Sequence, residues 1–244
     1  MNKNFKTNIL LFTILFLGMS VFSYIPIFVF NLNVEAFSPK LKVLYQLSCD
    51  IGFMIIVYFI YHKDLNKNFK DYFKNFDDNL KTSLKYYICG YIVMIVSNII
   101  IGLFFAEANA GNETAVRSLI DSYPLYMLFS VAIYAPFIEE IIFRKCIYDI
   151  VYSTKETKYH KYIYIIISGL IFASMHVIGI TEKAIDFLYI IPYLGLGIAF
   201  AALYYKTKNI FSTIIMHSMH NTLAFLMYFK GGAEWENHLS GYYP

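Results

Sequence analysis

Seven stretches of roughly 20 mostly apolar residues dominate this chain, at about 8–30, 43–61, 84–106, 124–150, 162–180, 185–205 and 209–229. Each is long enough to cross a bilayer as a helix. The composition agrees: 58% of residues are hydrophobic and 15% charged, against about 45–50% and 25% in soluble domains. A soluble globule of this length could not hide that much apolar surface, so the bilayer is the expected solvent. The expected fold is all-α, a polytopic membrane bundle of about seven transmembrane helices. The 23 Tyr and 23 Phe supply rings for the membrane interfaces. A net charge of +3 is too small to argue for nucleic acid. Cys49, Cys89 and Cys146 all lie in apolar runs with no CxxC spacing, and read as small buried hydrophobes.

The first run follows Lys3 and Lys6 but exceeds the 7–15 residues of a signal-peptide core, so it reads as a retained span. Placing the N-terminus in the cytoplasm puts fifteen of the 20 Lys and Arg residues on inner segments and five outside, in strict alternation. Positive charge favours the cytoplasmic side. The C-terminus is then external. The chain divides into spans 1–123 without recognisable motifs, a core 124–229 and a short tail 230–244. Between spans two and three, 63–78 is polar with scattered aromatics. It fits either an amphipathic helix on the inner leaflet or a solvated loop.

Ionisable residues inside a span are costly and mark function by default. They concentrate in three spans. Span four holds Pro136, Glu139, Glu140 and Arg144; span five holds His176; span seven holds His217, His220 and Asn221. Span two has Asp50 alone. Glu140 and Arg144 are i,i+4 and share a helix face, where an ion pair would lower the cost of burying both. Glu139 is rotated about 100° away, free to face a cavity, and Pro136 one turn earlier favours a kink that opens one. His217 and Asn221, also i,i+4, can donate to an oxyanion or ligate a metal. His220, about 60° around the helix from His217, is assigned to packing. HExxH, GxSxG and GxGD-like signatures are absent.

These residues form EExxxR at 139–144, FxxxH at 172–176 and HxxxN at 217–221, in that order on three spans. The set resembles the CAAX protease and bacteriocin-processing (Abi) family of intramembrane endopeptidases. The likeness covers roughly 124–226, including the run from Tyr204 to Asn209 before span seven. It implies an all-helical membrane protease. Glu139 would activate water and His176 hold it. His217 and Asn221 would stabilise the oxyanion or bind a metal, and Glu140 and Arg144 would orient the site. The resemblance leaves two chemistries open. One uses a divalent metal such as zinc, held by Glu140, His176, His217 and Asn221; the other uses a general base and an oxyanion hole alone. Two imidazoles and two carboxylates in a dry site favour the metal.

One length does not fit. With these limits His176 lies about 22 Å into span five at 1.5 Å per residue, while Glu139 and His217 lie nearer the inner ends. For the three to meet, span five must start later, tilt, or face a deeper span four. Two other functions compete with the peptidase. One is a proton-coupled transporter, although no matching broken halves are visible. The other is a catalytically silent scaffold or immunity protein, which the intact motifs oppose. The expected partners are the lipid bilayer and a membrane-associated protein or peptide substrate. The Lys- and Asn-rich, Arg-poor composition points to a bacterial plasma membrane and away from prenylated substrates.

Overall fold

The computed structural model describes residues 3–105, 110–154, 157–179 and 183–240. Lys155, one of the fifteen inner Lys and Arg residues counted above, lies outside them. All regular elements among the described residues are helical: α1 (Lys3–Val21), α2 (Tyr24–Phe30), α3 (Pro39–Lys74), α4 (Phe76–Phe104), α5 (Gly111–Ser122), α6 (Pro124–Tyr152), α7 (His160–Met175), α8 (Ile190–Thr207) and α9 (Ile210–Ser240), with short 3-10 turns at Val34–Ala36 and Ala184–Tyr189. Five runs are long and apolar enough to cross a membrane: Asn4–Val21, α3, α4, α6 and Ala184–Thr207. The expected seven are therefore matched in five. At 16 residues, α7 is shorter than a full span, and α9 is not among the five.

The first expected span is broken. Pro26 has no N–H, and its ring crowds the carbonyl of residue 22, so α1 ends at Val21 and α2 begins at Tyr24. The Tyr45 hydroxyl from α3 donates to the Ser23 carbonyl at this break. The segment 63–78 is not a loop. Helix α3 runs unbroken through to Lys74, with Leu65 and Tyr72 buried, so most of this segment is a helix, but one continuous with a span. At its end Asn68 meets the start of α9. Asn209 Nδ2 donates to the Asn68 carbonyl at 2.8 Å, and the Ile210 amide donates to Asn68 Oδ1 at 2.7 Å.

The motif-bearing helices α6, α7 and α9 pack with α8 around one core, with α1 and α3 against it. Helix α8 lies between α4 and α7, and glycines set its distance to both. A Cβ on Gly197 would fall 2.9 Å from the Gly169 carbonyl oxygen, and one on Gly90 2.5 Å from Ala199 Cβ. Small residues allow this close approach in membranes. Gly197→Val is therefore expected to cost about 1–3 kcal/mol through overpacking, read as a lower unfolding midpoint in detergent. Of the cysteines, Cys49 and Cys146 are buried as expected, but Cys89 is exposed on α4.

Candidate active site

Helix α6 is not a uniform α-helix. It widens into π geometry at Ser130–Tyr134 and Ile141–Cys146, either side of the α-helical turn Ala135–Glu140 that carries both glutamates. A widened turn leaves carbonyls without helical partners. In lipid they need donors from elsewhere. In the first widening the Ala135 amide bonds to the Ser130 carbonyl. The next amide in that register belongs to Pro136 and does not exist. The Val131 carbonyl is instead capped by Asn221 Nδ2 at 2.9 Å. In the second, the Phe143 carbonyl accepts from Ser168 Oγ of α7 at 2.7 Å. Polar side chains of neighbouring helices thus hold the widened form.

Glu140 and Arg144 pair as their spacing predicts. Arg144 Nε lies 2.9 Å from Glu140 Oε2, both side chains fully buried, and Nη2 donates to Oε1 at 3.2 Å. The guanidinium also donates to Ser168 Oγ at 3.2 Å and stacks 4.6 Å from the Phe172 ring centroid. His217 Nδ1 lies 2.9 Å from Glu140 Oε1. The carboxylate can only accept, so Nδ1 carries the proton. Phe172 and Phe200 flank the His217 ring at 5.7 and 5.6 Å.

Glu139 turns away from this cluster and faces His176, with Oε2 to Nε2 at 4.0 Å and side chains 18% and 17% exposed. Glu139 Oε2 is buried without a hydrogen-bond partner. His176 caps the end of α7, and its Nδ1 lies 2.8 Å from the Phe172 carbonyl. That carbonyl only accepts, so Nδ1 is protonated, and in the neutral ring Nε2 holds the lone pair toward Glu139. Tyr193 stacks on the His176 ring at 4.6 Å and 29°, and its hydroxyl accepts from Asn112 Nδ2 at 3.4 Å.

Two groups of site residues therefore emerge: Glu139 with His176, and Glu140 with Arg144 and His217. His217 and Asn221 share a face of α9 but have different partners. The donors named for a metal do not converge. Glu140 is engaged by Arg144 and His217, His176 Nδ1 by its own helix, and Asn221 by Val131. Among the described residues no three His, Cys, Asp or Glu side chains group as a metal site. The depth conflict resolves without a later start for span five, since α7 begins at His160. Instead α6 continues to Tyr152, which places Glu139 about 20 Å from its inner end at 1.5 Å per residue, level with His176. His220 packs against Tyr87 and Tyr91.

Three site residues were not singled out from sequence. Ser168 stands at i,i+4,i+8 with Phe172 and His176, a spacing that could have found it. Tyr193 and Phe200 lie in an apolar run with no such signal. Asp50 is buried, bonded to Gln46 and Tyr126 at 2.9 Å each, and so ties α3 to the start of α6.

Residues 121–223 match the family described as Type II CAAX prenyl endopeptidase Rce1-like. The chain is 31% identical over 150 residues to YdiL of Bacillus subtilis (strain 168), a candidate membrane peptidase by name, covering 59% of this chain and 56% of that protein. It is 29% identical over 132 residues to the membrane-embedded CAAX protease MroQ of Staphylococcus aureus (strain USA300), covering 52% and 49%. The chain thus spans about half the length of these curated relatives. No solved structure matches.

Proposed function

We propose that this chain, which matches the Rce1-like CAAX prenyl endopeptidase family over residues 121–223, is a membrane-embedded endopeptidase in which Glu139 activates water. The observation that carries the reading is the unpartnered Glu139 Oε2, 4.0 Å from a His176 Nε2 lone pair. That separation is too long for a direct bond. A single water about 2.8 Å from each atom bridges it. Such a water gives one proton to each acceptor and turns its oxygen lone pairs outward.

The water oxygen attacks the scissile carbonyl carbon as Glu139 takes its proton. The C–N bond then breaks, and the proton passes from Glu139 to the leaving amine. Asn221 has one amide hydrogen on Val131, leaving the second for the oxyanion beside His217. The Glu140–Arg144 pair fixes the His217 ring. No step runs through a metal. The same reading includes seven spans with the N-terminus in the cytoplasm of a bacterial plasma membrane, supported by the lysine asymmetry and the bacterial relatives. The substrate is a membrane-associated protein or peptide that need not be prenylated.

The rival transporter also explains ionisable groups in the membrane. Purified protein in detergent separates the two. The peptidase is expected to cut a membrane-anchored peptide with no ion gradient present, whereas a transporter leaves it intact.

A further inference from the structure

Glu139 stands near the middle of α6, and His176 at the end of α7. Helix α7 runs outward from the inner, lysine-rich end, where Lys158 and Lys161 stand, and His176 is at its far end. Helix α5 connects the far end of α4 to the start of α6, and it packs there with the distal part of α9: Ile120, Met127 and Phe225 form one cluster. Asn112 of α5 reaches Tyr193, and Tyr193 stacks on His176. On this side the lining is half-buried.

Toward the lysine-rich end the path is closed. Glu140, Arg144, Phe143, Tyr164, Phe200 and Leu203 are each 0–1% exposed, and behind them Tyr148 and Tyr204 pack on Tyr164. Lys63, Lys67, Lys70, Lys74, Lys81, Lys85, Lys206 and Lys208 all stand at that end, and such clustering marks the cytoplasmic face.

We infer that the Glu139–His176 pair is reached from the outer face of the membrane, so that the bond cut there lies in a peptide segment at or beyond the outer leaflet, not in a cytoplasmic C-terminus. This rests on the peptidase reading for the bond cut, but the sidedness stands on geometry and charge alone. It names the substrate class: exported or membrane-spanning peptides presented from outside.

Single cysteines test it. Glu139→Cys and His176→Cys are made separately, with Ser118→Cys on exposed α5 and Lys70→Cys on exposed α3 as references. Each is treated with a charged, membrane-impermeant maleimide in intact cells and in inverted vesicles, and labelling is scored above the parent chain with its three native cysteines. The expected result is that both site cysteines and Ser118→Cys react in intact cells, while Lys70→Cys reacts only in inverted vesicles. The inference is overturned if both site cysteines follow Lys70→Cys, if neither reacts from either side, or if Ser118→Cys reacts only in inverted vesicles. No cleavage is measured, so failure here is distinct from failure of the detergent peptidase assay, which has no sides.

Discussion

Arg144→Ala is expected to destabilise the protein by about 3–5 kcal/mol, because it strands a fully buried Glu140 charge. The guanidinium also supports Ser168 and lies over Phe172, so both the second widened turn of α6 and the seat of His217 lose a contact. The measurement is the unfolding midpoint in detergent. The double variant Arg144→Ala with Glu140→Gln removes the stranded charge and is expected to recover part of that loss. Strict additivity of the two single variants would show that the residues do not pair.

Glu139→Gln is expected to lower the cleavage rate by about 10²–10⁴, the range supplied by a positioned general base. Its unfolding midpoint should stay near that of the wild type, because Glu139 makes no ion pair with Arg144 and is not in the fully buried layer. The amide keeps the shape and loses only the proton acceptor. A variant that cleaves at the wild-type rate removes Glu139 from the chemistry.

Much of the site was legible in the sequence because helix geometry fixes what shares a face. The i,i+4 spacing of Glu140 and Arg144 predicted their contact, and the rotation of one residue separated Glu139 from it. What was not legible depends on partners distant along the chain. Nothing local shows that α6 widens twice, since the widened turns are held by Asn221 and Ser168 from other helices. Nor does spacing show that His217 bonds to Glu140, 77 residues away. Hydropathy extends span five to about 180, but the helix stops at Met175 with His176 as its cap. Hydropathy also ends span two near 61, although α3 continues to Lys74 to meet Asn209 and Ile210.

The central claim is that a carboxylate and an imidazole activate water without a metal. It is tested most directly by turnover of a membrane-anchored peptide by purified protein of known metal content, before and after treatment with a strong chelator. The account predicts far less than one transition-metal ion per chain and an unchanged rate. About one zinc per chain, with activity lost on chelation and restored by zinc, would contradict it and return Glu140, His176, His217 and Asn221 to the role of ligands.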